Sequence, residues 1–368
     1  MTPLNWIKSP PEIDDATTIE AIRAAPIEDL SVQPLKGIPD LLASLGADFD
    51  AIARRAGVCP AALDDPEGRL SFLDTQRLLH ECEQATGCPH FGMQVGMRAG
   101  VSAAGVLGAL ARHATTVLQS LRTIQAHLHL HDRGAVLGLH QRNHGEMELA
   151  YVIFHPEHPG SRHIAEGTLA IAMNVLRALC GPRWAPTEVM LACDRPADTA
   201  AYRDCFGPAL RFNAPRFAVV FDSGWLNRAL PAADAMERIR LARRVTELER
   251  SRRPSTRERA RESLTQVLIE APPSVDRVAR LLGVSVRTLN RRLAREGTSF
   301  KALLEDARSS LASQLLRDTR MPAIEIAAAL HYTTPSAFSR AFRGWNRGMS
   351  PRRARHAGPT GPVAGIDG

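Results

Sequence analysis

The sequence predicts an α+β N-terminal body, helices plus a small antiparallel sheet, followed by an all-α C-terminal domain of two helix-turn-helix units. Three observations carry this. Strand-like stretches are confined to the middle of the chain, helical spacing lies on both sides of them, and the charge balance reverses near residue 232. Residues 1–231 carry 20 Lys+Arg against 25 Asp+Glu, a net of −5; residues 232–368 carry 26 against 14, a net of +12. At 368 residues and 44% hydrophobic, the chain is long enough for two cores and too apolar for global disorder.

The first 35 residues, with Pro3, Pro10, Pro11, Pro26 and Pro34, read as a flexible N-terminal arm. Their opening lacks a basic segment followed by an apolar one, and no run in the chain approaches the roughly 20 apolar residues of a membrane span. A cytoplasmic protein without a membrane partner is the expectation. Residues 36–231 form the body. PDLLASLGADFDAIARRAG and SFLDTQRLLHECEQATG have helical spacing, and Ser71 followed by Asp74 suits a helix N-cap. Val117, Leu121, Ile124 and Leu128 make one helical stripe over 115–130.

The period then changes to two. AVLGLHQ (135–141) and MELAYVIF (147–154) flank Asn143-His144-Gly145, which is hairpin-turn chemistry. A helix over about 162–179 stops at Gly181-Pro182. EVMLAC (188–193) and RFAVVF (216–221) are further strands, with a helical turn at Ala200–Cys205 between them.

Residues 232–256 form an Arg-dense linker, expected as a solvated helix up to Arg252 because Glu237, Glu247, Glu249 and Glu258 are interleaved with its cations. From 257 to 355 short helices follow one another, and HAGPTGPVAGIDG (356–368) is a Gly/Pro-rich tail expected to be disordered. One helix spans about 257–270. Ser274 caps SVDRVARLL, Gly283 ends it, Ser285 opens VRTLNRRLAREG, and Gly297 closes that. Val278, Leu281, Leu282, Val284, Leu289 and Leu293 are available for a two-helix core. Helix, glycine turn and capped helix over 274–296 make a helix-turn-helix, whose second helix enters a major groove. Its outer face carries Arg287, Asn290, Arg291 and Ala294, with Arg292 and Arg295 beside them at positions suited to phosphate. The pattern recurs over 322–345 after a long helix at 300–318, with Phe338 and Phe342 inward and Ser336, Ser339, Arg340 and Arg343 outward. Two such units could reach two successive groove segments.

The run from PSVDRVARLLGVSVRTLNRRL through SAFSRAFRGW resembles the DNA-binding domain of AraC/XylS-family transcriptional regulators over about 100 residues. GVCPAALDDPEGRLSF, GVLGALARHATTVLQSL and CFGPALRFNAPRFAVVF are similar to the arabinose-binding-type N-terminal domain of a subgroup, a label that specifies no sugar here. The resemblance implies base contacts at Arg287, Asn290 and Arg291, and in the second unit at Ser336, Ser339 and Arg340. Three positions depart from the family. His331-Tyr332 replaces Gly-Phe, WNRGMSP is one residue longer than usual, and Ala354 replaces an aromatic.

Eight histidines between His127 and His163 invite a metal reading, and His127 and His131 share a helical face. No H-E-x-x-H pattern accompanies them, so they read as surface or partly buried side chains. Cys59, Cys82, Cys88, Cys180, Cys193 and Cys205 form no C-x-x-C pair and read as reduced packing thiols. Cys193 and Cys205 alone have polar neighbours suited to alkyl acceptance, without the setting that activates a nucleophile. No catalytic residue, metal or cofactor is expected. The sequence therefore points to a regulator, an effector-responsive activator, that binds double-stranded promoter DNA. RNA polymerase, an unspecified small-molecule effector bound by the body and a second copy of the chain are the other expected partners. The alternative is a DNA-binding regulator whose body senses redox change, alkylation or metal through Cys and His.

Overall fold

The computed structural model describes residues 28–65, 68–99, 101–142, 145–231, 233–251 and 254–356. Asn143 and His144 of the expected turn, residues 1–27 of the arm and 357–368 of the tail lie outside them. The last eight arm residues are not an arm. β1 (Asp29–Ser31) pairs antiparallel with β2 (Arg69–Ser71), and Leu30, Val32 and Leu35 are buried. Their apolar side chains outweigh the proline signal that set the boundary at 35, and Pro34 sits in the first turn of a 3₁₀ segment, Gln33–Leu35.

Helices α1 (Ile38–Ser44), α2 (Phe49–Arg55), α3 (Phe72–Thr86), α4 (Phe91–Arg98), α5 (Gly105–Arg112) and α6 (Val117–His127) follow. Ser71 caps α3 by accepting from the Asp74 N–H, as its spacing predicts. β3 (Ala135–Gln141) and β4 (Glu146–Ile153) then form the antiparallel hairpin. α7 (Ser161–Cys180) crosses α4 so closely that a Cβ at Gly96 would lie 2.1 Å from the Gly167 carbonyl oxygen. Only glycine fits there. β5 (Glu188–Met190), α8 (Ala200–Phe206), β6 (Leu210–Arg211) and β7 (Phe217–Asp222) complete a sheet ordered β3-β4-β7-β5-β6. It is antiparallel except that β6 runs parallel to β5, and β6 is too short for a periodicity signal.

Alternation along the strands divides the core. Leu149, Tyr151, Ile153, Val219 and Phe221 face the helices of the body, whereas Ala150, Val152, Ala218 and Val220 face the opposite way. That second face is covered by the C-terminal third.

The Arg-dense helix α9 (Ala235–Ser251) is anchored rather than fully solvated, because Leu241 and Val245 are buried against Leu107 and Leu110 of α5. The described C-terminal helices are α10 (Thr256–Glu270), α11 (Val275–Leu281), α12 (Val286–Arg295), α13 (Phe300–Asp318), α14 (Ala323–Ala329), α15 (Pro335–Trp345) and α16 (Pro351–His356). Ile269 of α10 and Leu311 of α13 pack on the outer sheet face. Polar ties reinforce that seat. Arg261 pairs with Glu28, Arg133 pairs with Glu258, the Ser310 hydroxyl donates to Glu157 at 2.9 Å, and Arg320 pairs with Asp194 at 2.7 Å.

Candidate nucleic-acid interface

Each helix pair is built around a small apolar core. Val278, Ala279, Leu289 and Leu293 close the first pair against Ala260, Leu264 and Val267 of α10. Leu282 and Val284 pack at its edge, but Leu281, expected inside, is 57% exposed. Gly283, at φ +66°, turns the chain between α11 and α12. Ser285 caps α12 by accepting from the Thr288 N–H at 3.2 Å, whereas Ser274 stands at the N-cap of α11 without a side-chain bond. Glu296 reaches back to accept from the N–H groups of Thr256 and Arg257, tying the end of α12 to the start of α10.

With Leu289 and Leu293 buried and Val286 packed beside them, the opposite face of α12 is outward. Arg287, Asn290, Arg291, Arg292 and Arg295 are all exposed. In the second pair, Phe338 and Phe342 are fully buried with Ile326, Ala327 and Leu330, which leaves Ser336, Arg340 and Arg343 exposed and Ser339 half-buried. Thr334 caps α15, accepting from the Ala337 N–H at 3.1 Å.

The cations of the C-terminal third and its seam with the body include an ion-paired set and an unpaired set, and among the described residues Arg280, Arg352 and Arg353, off the two reading faces, share the unpaired condition. Arg133, Arg261, Arg277, Arg317 and Arg320 are ion-paired, and all but Arg277 tie the C-terminal helices to the body or lie at that seam. Among the described residues, Arg287, Arg291, Arg292, Arg295, Arg340 and Arg343 have no carboxylate within 4.0 Å. These guanidiniums keep their donors for an external acceptor.

The family profile described as the arabinose-binding domain of AraC transcription regulator, N-terminal, matches residues 46–230, and that of a helix-turn-helix domain matches residues 278–357. The ornithine utilization regulator of Pseudomonas aeruginosa is 32% identical, over 86% of this chain and 94% of its own length. The chain belongs to the AraC family of transcription regulators. The HTH-type transcriptional regulator VirS of Mycobacterium tuberculosis is 28% identical over 88% of this chain and 95% of its own. The solved transcriptional regulator CdpR from Pseudomonas aeruginosa is 24% identical, with 84% of this chain and 96% of that one covered and a TM-score of 0.41. This AraC-family chain is thus a DNA-binding transcriptional regulator with an effector-binding N-terminal domain.

Two of its departures from the family pattern acquire a structural account. His331 adopts φ +57°, where glycine is usual, and its Nε2 meets the Leu268 carbonyl at 2.9 Å. Tyr332 stacks near Phe338 and Trp345, with the Arg308 guanidinium 4.5 Å over its ring. The extra residue of WNRGMSP is absorbed by two left-handed positions, Arg347 at φ +48° and Gly348 at φ +82°.

The histidines and cysteines serve the fold. His127 bonds Glu249 of α9 at 2.8 Å. His163 contacts Glu83 at 2.9 Å through Nε2, and its Nδ1 accepts from the Gly92 N–H at 3.3 Å. Cys193 and Cys205 are buried, and burial raises both thiols, Cys205 to about 12, the opposite of nucleophile activation. The same holds for Cys82 and Cys180.

The feature missed in the sequence is a cavity of about 120 Å³ inside the body. Its walls come from β1, α3, α4, α6, α7, β3, β4 and the turns at Pro34 and Ala103, so no local motif announces it. Apolar side chains such as Val95, Leu121, Leu137 and Ile171 dominate the lining. Asp132 and Tyr151 share one wall, with the Tyr151 hydroxyl donating to Asp132 at 2.6 Å.

Proposed function

We propose that this regulator reads two successive major-groove segments, through α12 and α15, and that occupancy of the body cavity modulates the reading. Arg287, Asn290 and Arg291 contact base edges in the first segment; Ser336, Ser339 and Arg340 do so in the second. Arg292, Arg295 and Arg343 contact phosphate. The observation that carries this is that, among the described residues, six outward guanidiniums of α12 and α15 have no ion pair, whereas Arg133, Arg261, Arg317 and Arg320 at the seam do. Unpaired Arg supplies bidentate contacts to guanine, and Asn290 supplies the amide pattern that matches adenine.

Strand β4 supports the effector link. Tyr151 borders the cavity, while its neighbour Val152 belongs to the face that receives α10 and α13. A shift of this strand is felt on both sides of the sheet. Activation, by recruiting RNA polymerase as a homodimer on its promoter, is the expected output.

Genome-wide mapping of binding sites, followed by isotherms of the full chain on a mapped site at several salt concentrations, tests the proposal. Two half-sites about one helical turn apart are expected, with affinity falling steeply with salt. A single half-site, or binding insensitive to salt, would overturn it.

A further inference from the structure

The body cavity has a definite chemistry. Its lining is mostly apolar, the polar side chains being His131, Asp132 and Tyr151 together with His163 and Thr168 of α7, and its volume of about 120 Å³ is close to that of an engineered apolar cavity, about 150 Å³, that admits benzene. It therefore suits a body the size of one arene ring or a short aliphatic chain. Pro34, Val95 and Ala103 belong both to its lining and to a surface depression that also includes Lys36 and Arg98, which gives a side from which a ligand enters.

The polar groups on the wall define what that body carries. The His163 ring is already occupied on both nitrogens, by Glu83 and by the Gly92 N–H. His131 is held neutral by burial, which pushes its imidazole down to about 4. Asp132, 3% exposed, accepts one bond at each carboxylate oxygen, from Tyr151 and from the Gly134 N–H at 2.8 Å. The Arg69 guanidinium, whose charge acts on Asp132, is committed to Asp29 at 2.6 Å, and among the described residues no cation pairs with Asp132. A buried carboxylate with donors but no counter-charge is costly to keep ionised, and each oxygen can accept a further bond.

A polyol does not match this lining, because several hydroxyls would be buried with few partners. A carboxylate ligand would be repelled by Asp132. An amino acid such as ornithine brings both a second ammonium and a carboxylate without receptors here. We propose that the cavity is the effector site and takes a small apolar amine, with the ammonium on Asp132 and the hydrocarbon among Val95, Leu121, Leu137 and Ile171. This rests on the effector-responsive reading above.

The test is calorimetric titration of the full chain with benzylamine as probe, beside benzoate, L-arabinose and L-ornithine, with DNA binding measured on the same samples. Benzylamine is expected to bind and the other three to give no heat. Asp132→Asn is expected to weaken benzylamine at least tenfold. Ile171→Trp, which adds bulk to the apolar lining and leaves Asp132 itself unchanged, is expected to abolish binding, and it decides the matter if Asp132→Asn does not fold. Preference for benzoate, L-arabinose or L-ornithine would overturn the assignment. So would benzylamine binding unchanged in both variants, or none in a chain that still binds DNA. Binding lost in Ile171→Trp, but without any change in operator affinity of the native chain, supports the site and rejects the effector-responsive reading instead.

Discussion

Ile269 of α10 sits over Gly138 of β3, so that a Cβ placed on Gly138 would meet the Ile269 Cδ1 at 3.2 Å. The contact joins the DNA-binding part to the sheet whose other face borders the cavity. Gly138→Leu should overpack this seat and cost about 1–3 kcal/mol. Its signature is specific: faster hydrogen exchange in α10 than in α4 or α7. Unchanged exchange in α10 would show that the seat is not where the two parts are held.

On the same sheet face, Glu148 is buried and carries a charge network with Arg216, His140 and Arg142. Burial alone would raise its carboxyl, but hydrogen bonds from His140 and Arg216 and their charges prevail and lower it to about 2. A depressed folded-state value contributes stability that is complete above the unfolded value, about 4.3, and is lost as pH falls toward 2. Glu148→Gln should cost about 1–3 kcal/mol at pH 7, because it removes the carboxylate partner of the half-buried Arg216 guanidinium while Arg142 keeps Glu188. The deficit should shrink on acidification. Denaturant midpoints at pH 7 and pH 3 decide it, and an equal deficit at both would remove Glu148 from the network.

Asp132 has the opposite sign. Burial raises its carboxyl to about 6, so its ionisation works against the fold above that pH and the penalty vanishes as pH falls toward 4. The raised value corresponds to about 3 kcal/mol at pH 8. Asp132→Asn should therefore gain stability relative to the native chain between pH 5 and pH 8. Parallel melting curves across that interval, with no change in their separation, would contradict the buried, unpaired carboxylate.

His331 tests how a family glycine was replaced. A non-glycine residue at φ +57° costs on the order of 1 kcal/mol, while the bond to the Leu268 carbonyl returns about as much. His331→Gly should be close to neutral. His331→Val, which has no such bond and is β-branched, should lose about 1–3 kcal/mol. If glycine at 331 is as damaging as valine, the side-chain bond and not the backbone sets this turn.

How much was legible depended on whether the signal was local. Ser71, Ser285, Gly283 and Gly297 announce helix ends through their own backbone chemistry, and Leu289 and Leu293 fix which face of α12 is inside. The β3–β4 hairpin is readable from two strand-like runs flanking hairpin-turn chemistry. By contrast, β1 joins the fold by pairing with β2 some forty residues on and with the 131–133 segment some hundred residues on, and β6 has two residues. Leu281 looked like core because a seven-residue helix offers more apolar positions than its partner helix covers. The cavity draws on residues from Leu30 to Val175, and Asp132 gains its meaning only from being buried beside Tyr151.

The groove assignment separates Arg291 from Arg292, neighbours in sequence but about 100° apart around α12. Arg291 follows the stripe of Arg287 and Asn290, where a bidentate base contact is worth roughly 1–3 kcal/mol of discrimination. Arg291→Ala should lower affinity for the mapped operator and spare scrambled DNA. Arg292→Ala should weaken both alike and flatten the salt slope by about one unit, because a phosphate contact releases a counterion whatever the sequence. Arg340 occupies the corresponding outward position of α15, in the pair whose turn and exit differ from the family pattern. Because the exit from that pair runs through two left-handed positions, Arg347 and Gly348, Arg340→Ala is expected to cost less discrimination than Arg291→Ala. Isotherms on both DNAs between low and moderate salt measure all three. Equal losses on operator and scrambled DNA for Arg291→Ala would rotate the reading face of α12 away from the Arg287–Asn290–Arg291 stripe.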